Sequence, residues 1–199
     1  PGVSISNEHT NMFPERRHPG FHNLSRITHL EVINFAIKNP QKRVIIKPKW
    51  GGRWIDYINN LARKENIKLK EITNLVIDEK FNSFSVIENS SVIISFNSTT
   101  VLEAAIKNKY VIIPYFEEAK NDLKGYVQFK TYFDLFEIAE SSKDLRKKIN
   151  LGFKNPKKHN SLLKKRIKLY ELLVSSMKGN STEKYIEIFK QQIRENTLK

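Results

Sequence analysis

The chain has 199 residues, 39% of them hydrophobic and 28% charged, and it contains no cysteine. That length suits one domain, or one domain with a tail, and the balance excludes a chain disordered throughout. The lack of cysteine excludes disulfides and thiolate metal sites and suits a reducing compartment, while apolar runs as short as Val111, Ile112 and Ile113 cannot span a bilayer.

The net charge is +14, and its placement says more than its size. From Lys143 to Lys168, eleven basic residues meet one acid, Asp144, so this stretch alone carries +10. Such a patch suits nucleic-acid phosphates, an anionic lipid surface or a polyanionic glycan; equally, it is a solvated lysine-rich face. The second reading has its own support, because lysines number 26 against 9 arginines. No secretory signal is visible, and the expected setting is cytoplasmic, at most peripheral on the inner membrane. The chain opens on Pro1, so a longer natural protein is expected.

In chain order, residues 3–6 (Val-Ser-Ile-Ser) read as a short strand, followed by a polar loop over 7–23 that holds His9, His18 and His22. Leu24, Ile27, Leu30, Ile33 and Ile37 have helical spacing, and Asn39-Pro40 ends that helix. Residues 43–47 form a β-branched strand closed by Pro48; Gly51-Gly52 breaks the chain before a helix over 54–64. A strand over 75–77 ends at Asp78, and a helix over 83–89 is expected to be capped by Ser83. A strand over 91–95 runs through the turn 97–100 into a helix over 101–107, and a strand over 110–113 stops at Pro114. A last strand is expected over 135–139, then helices over 143–149, 161–177 and 181–193. Short, continuously apolar strands separated by helices predict an α/β fold, a Rossmann-like parallel sheet flanked by helices. The expected domain covers 1–157, with a C-terminal helical appendage over 158–199 packing on it.

In an open parallel sheet, ligands bind at the carboxyl ends of the strands. Polar residues stand at four such ends: Asn7-Glu8-His9, Lys47-Pro48-Lys49, Asp78-Glu79 and Asn97-Ser98-Thr99-Thr100. The last is the most informative, because a strand runs through small polar residues straight into a helix. Free N–H groups and the helix dipole make that start a phosphate site. Thr100-Val101-Leu102-Glu103 also fits a capping box, in which Glu103 merely satisfies the helix start. Trp50 and Trp54 suit stacking on a base or sugar, or core packing; Arg16-Arg17-His18 suits a phosphate grip or a solvated loop. His22 and His29 have no third partner at metal-ligand spacing, so no metal is expected. Walker A, G-x-G-x-x-G and G-x-S-x-G motifs are missing.

The stretch SFSVIENSSVIISFNSTTVLEAAIKNKYVIIP, residues 83–114, resembles the donor-binding half of capsule polysaccharide glycosyltransferases of the GT-B fold, including the Kdo-transferase type. It is similar, more distantly, to glycerophosphotransferases of teichoic acid synthesis and to sugar-nucleotide 2-epimerases. The resemblance implies that Ser98 and Thr99 hold the donor phosphate, with Asn97 the small polar residue before them and Thr100 completing the turn. It implies that Glu103 hydrogen-bonds sugar or ribose hydroxyls, and that His9 approaches the donor. Ile46-Lys47-Pro48-Lys49 resembles the family's I-K-P-H strand end, with Lys49 where the family carries His.

The function expected from the resemblance is nucleotide-sugar binding by the donor half of a bacterial surface-polysaccharide glycosyltransferase. The nucleotide-sugar would be the substrate, with no separate cofactor, and catalytic residues are not assigned. An N-terminal acceptor domain would lie outside this chain, and the basic stretch would meet an anionic membrane surface. The alternatives are a basic nucleic-acid-binding module, which lacks stacking aromatics among its lysines, and a sugar-nucleotide epimerase relative.

Overall fold

The computed structural model describes residues 20–48, 53–156, 159–174, 176, 177 and 179–197. The expected strand at 3–6 and the candidates His9, Arg16, Arg17, His18, Lys49 and Trp50 lie outside the described residues. The described elements are α1 (His22–Lys38), β1 (Val44–Ile46), α2 (Arg53–Lys64), β2 (Leu75–Ile77), α3 (Ser83–Glu88), β3 (Val92–Ile94) and α4 (Thr100–Ile106). They continue with β4 (Tyr110–Pro114), β5 (Glu137–Ala139), α5 (Ser142–Lys154), α6 (Leu163–Leu173) and α7 (Ser181–Thr197). The fold is α/β and Rossmann-like, with parallel strands flanked by helices.

The strands divide into two sheets. β1 pairs β2, with Val44 opposite Leu75, and β3, β4 and β5 form a second sheet in that order, with Val92 opposite Tyr110 and Ile112 opposite Glu137. Every pairing is parallel. Each residue of β4 is buried, which a strand achieves only when helices cover both faces of its sheet. The helices accordingly separate into two layers. α1 lies against α2 and α5 on one side; α4 lies against α3 and α6 on the other. The main core joins Leu24 and Phe35 of α1, Val101 and Leu102 of α4, all of Tyr110 to Ile113, and Leu145 and Ile149 of α5. Burying each such side chain contributes about 1.5–3 kcal/mol. A smaller cluster of Ile33, Ile46 and Ile58 seats α2 under β1.

Several local expectations are corrected. Asn82 rather than Ser83 caps α3, because its side-chain oxygen accepts the Ser85 N–H at 3.1 Å. The capping box at Thr100 does not form. Thr99 is the N-cap, in helical φ/ψ and without a side-chain cap bond, so Thr100 already belongs to the helix. α5 runs to Lys154, five residues past the expected end, because Leu151 and Phe153 continue its packing face, and Ser141 caps it by accepting the Asp144 N–H. Pro114, expected to stop β4, is its last residue, where the carbonyl of Ala139 turns to the Tyr115 N–H.

α6 is locked to the domain by Arg166, which is fully buried. α7 exposes Tyr185, Ile186, Ile188, Phe189 and Ile193. Among the described residues, no helix is long and apolar enough to cross a membrane.

Candidate functional site

The two sheets face each other across a cleft of about 810 Å³. β1 with Lys47 and Pro48 forms one wall, and residues 90–100 form the other. α1 covers one side through Leu24, Ser25, Thr28, His29, Val32 and Phe35; α3 covers the other through Val86 and Ile87. The size lies in the range of small-molecule sites.

At the carboxyl ends of β1 and β3 the cleft opens among polar groups. Lys47, Asn97, Ser98, Thr99, Thr100 and Glu103 all line it, so the structure brings together six of the eight residues singled out from the sequence. The other two, His9 and Lys49, lie outside the described residues.

Their roles separate on contact geometry. Asn97 sits in the left-handed region at φ 46°, which asparagine tolerates better than most residues. Its side chain is engaged at both ends: Nδ2 donates to the Tyr126 carbonyl at 2.9 Å, and Oδ1 accepts the Gln128 N–H at 2.9 Å. Asn97 therefore shapes the rim by holding 126–128 over the cleft. Ser98 Oγ donates to Thr100 Oγ1 at 3.1 Å and lies 3.3 Å from the Thr100 N–H. The N–H groups of Ser98 and Thr99 have no acceptor among the described residues. Glu103, one turn into α4 and half-buried, makes no hydrogen bond through its carboxylate among the described residues.

Among the other residues that line the cleft are four polar ones that the sequence had not placed at a ligand site, Ser95, Thr28, His29 and Gln128. Ser95 is 4% exposed, and among the described residues its Oγ has no hydrogen-bond partner, nor has Thr28 Oγ1 on the facing helix. His29 Nδ1 donates to the Ser25 carbonyl at 2.8 Å, leaving Nε2 as the acceptor of a neutral ring. Burial pushes its pKa below the usual histidine value, and the bond to Ser25 only partly opposes this. Gln128 is carried in by the Asn97 clamp. The signal for Thr28 and His29 was their place on the cleft-facing row of α1, four residues below Leu24 and Ser25; nothing local marked Gln128. Trp54 lines the cleft half-buried, with its ring 6.5 Å from that of Tyr57.

Asp78 and Glu79 do not reach the cleft lining. Asp78 Oδ1 accepts the Lys80 N–H at 2.8 Å and closes a local turn. Among the described residues, no three His, Asp or Glu side chains gather as a metal-ligand set.

The basic stretch is divided by the fold. Arg166 is buried, Lys148 pairs with buried Glu137 at 3.0 Å, and Arg146 reaches Glu31 at 3.3 Å. Lys143, Lys147 and Lys154 are exposed on or beside α5, whereas Lys164, Lys165 and Lys168 are exposed on α6 in the other layer.

Comparison with protein-family models, with curated proteins and with solved structures found no match to this chain.

Proposed function

We propose that this chain binds the nucleotide-sugar donor of a glycosyl transfer reaction, as the donor half of an enzyme of bacterial surface-polysaccharide synthesis. The observation that carries the reading is the gathering of Lys47, Ser98, Thr99, Thr100 and Glu103 around one cleft mouth at the carboxyl ends of two parallel strands. Open α/β sheets take their ligands at that end. The groups complement a nucleoside diphosphate. The Ser98 and Thr99 N–H groups and the Lys47 ammonium suit phosphate oxygens, and the Glu103 carboxylate suits sugar or ribose hydroxyls. Among the described residues, Ser95 Oγ and Thr28 Oγ1 are buried groups without a hydrogen-bond partner, and each unmade bond of this kind costs about 1–3 kcal/mol until one is supplied.

The chemistry such a site contributes is electrostatic. As the glycosidic bond to phosphate breaks, negative charge grows on the leaving nucleotide, and donors already aimed at that position stabilise it without reorganising. Asn97 is a positioning residue in this scheme. A base that activates the acceptor is not assigned to any residue of the chain.

The test is a thermal-shift and calorimetric titration of the chain with CMP, CDP, UDP, GDP and their sugars. A nucleotide at 100 times its Kd adds about 2.7 kcal/mol of stability. Saturable binding to one base class, lost in Ser98→Ala with Glu103→Ala while the fold persists, is the expected result. No binding to any nucleotide at millimolar concentration would sink the reading.

A further inference from the structure

α1 to α6 each bury part of one face, but in α7 every side chain from Thr182 to Arg194 is exposed. A helix in a folded protein draws most of its stability from an apolar face packed on something else. α7 has such a face. Ile186, Phe189 and Ile193 recur at spacings of three and four, which sets them in one row, and Tyr185 and Ile188 carry the apolar surface round one flank. Phe189 and Ile193 are 65% and 66% exposed, so the row stands clear of the domain. Gly179, at φ 71°, turns the chain between α6 and α7.

The other flank is charged, and the charges are ordered. Glu183, Glu187, Lys190 and Arg194, spaced by four, three and four, form a row beside the apolar one, acids toward the amino end and bases toward the carboxyl end. Within one helix this order sets Glu183 beside Glu187 and Lys190 beside Arg194, both at i,i+4, where like charges repel. Only Glu187 and Lys190 are opposite neighbours in the row, and none of the four makes an ion pair among the described residues. We propose that two copies of this chain associate through α7, packed antiparallel about a two-fold axis that passes between Ile188 and Phe189. Reversal about such an axis keeps like flank against like flank. Glu183 and Glu187 then meet the second copy's Arg194 and Lys190, and the symmetry repeats both pairs at the other end. The apolar rows close on each other between them. A parallel pair would instead set the charged row against the second copy's Tyr185 and Gln192, because that arrangement joins opposite flanks. The charged row sums to zero, whereas a helix lying on an anionic lipid surface carries a basic flank. No residue of α7 lines the cleft, so the association does not rest on nucleotide binding.

Sedimentation velocity of the full chain, without nucleotide, tests this between about 1 and 300 µM, the weak range that a single helix pair allows. The expected result is a monomer–dimer equilibrium. Phe189→Asp, at a side chain the domain leaves open, should weaken it about tenfold or more and leave the thermal unfolding of the domain unchanged. Glu183→Lys with Glu187→Lys makes the charged row all basic, and Lys190→Glu with Arg194→Glu makes it all acidic. Each double variant alone should stay monomeric, and an equimolar mixture of the two should form a heterodimer. A chain monomeric throughout the range would overturn the proposal, and so would a dimer that Phe189→Asp leaves intact. Self-association of either charge variant as tight as that of the unmutated chain would overturn the antiparallel register. A monomeric chain held by phosphatidylglycerol vesicles and released by Phe189→Asp would overturn the proposal in favour of a lipid surface.

Discussion

Arg166 donates twice to a single acceptor, the carbonyl of Leu135, through Nε at 2.9 Å and Nη2 at 2.8 Å. Its third bond, from Nη1, reaches the carbonyl of Lys109 at 3.1 Å, and its guanidinium lies 5.7 Å from the ring centre of Phe136. One side chain of α6 therefore fastens the approach to β4 and the approach to β5. Burial pulls its pKa down to about 10, still above neutrality, so it stays charged. Arg166→Ala strands the buried carbonyl of Leu135 and the half-buried one of Lys109 and opens a cavity, and it should cost about 3 kcal/mol in urea denaturation. Arg166→Lys should recover little, because an ammonium cannot span both carbonyls. A loss under 1 kcal/mol for either variant would mean that α6 is not held this way.

Asn97 combines a left-handed backbone with a clamp on the 126–128 segment. Substitution separates the two. Asn97→Gly keeps the φ and loses the clamp; Asn97→Ala loses both and should be the less stable by about 1 kcal/mol. Both variants should weaken nucleotide binding about tenfold if Gln128 must be held at the rim, read by calorimetric titration. Equal stability of the two variants would show that the backbone at 97 carries no strain.

The order and type of most described elements were legible because β1 to β4 are short apolar runs rich in β-branched residues, set off by Pro, Asn or Ser, and the helices from α1 to α6 bury part of their apolar face; β5, Glu-Ile-Ala, and α7, whose large apolar side chains stay exposed, fit that pattern less well. The mouth of the cleft was legible for the same reason: Lys47 and Asn97 to Thr100 follow directly from strands, so the chain direction alone puts them at one end. What local pattern could not supply was tertiary. Thr100 to Glu103 fits a capping box by spacing, but helical φ/ψ at Thr99 starts the helix one residue early and releases the carboxylate. Gln128 reaches the rim through a bond across 31 residues. Arg166 and Lys148 count as surface charge in a composition; only packing reveals one buried and the other paired with Glu137.

Gly152 on α5 leaves no room for a side chain. A Cβ there would lie 2.6 Å from Cδ1 of Tyr110 and 2.8 Å from Cγ2 of Val92, both core contacts. Overpacking of this kind costs about 1–3 kcal/mol, while replacing a helical glycine by alanine returns about 1 kcal/mol. Gly152→Ala should therefore lower the melting temperature, and adding Val92→Ala should restore part of the loss, a coupling that a double-mutant cycle measures. Additive losses would mean the α5–β3 contact relaxes instead of clashing.

His29 sets a pH dependence on stability. Its pKa in the folded chain lies below the ordinary 6.5 because burial disfavours the imidazolium, with the Ser25 carbonyl bond opposing. The unfolded chain, which titrates near 6.5, therefore binds a proton that the folded chain refuses. Stability from this group is fully present above that pH and falls as the pH drops below it, down to the folded pKa. Glu118 acts in a lower window. Burial raises its pKa, but the N–H groups of Asn23 and Leu24 outweigh that and hold it below 4.5, so its contribution is lost as the pH falls below that value. Urea midpoints for the unmutated chain should thus decline from pH 7 to pH 5.5, and His29→Leu should flatten that part of the curve while leaving the steeper fall below pH 4.5. An unchanged slope between pH 7 and pH 5.5 in His29→Leu would mean that His29 accepts its proton in the folded state, and that the cleft beside α1 is wetter than its apolar lining implies.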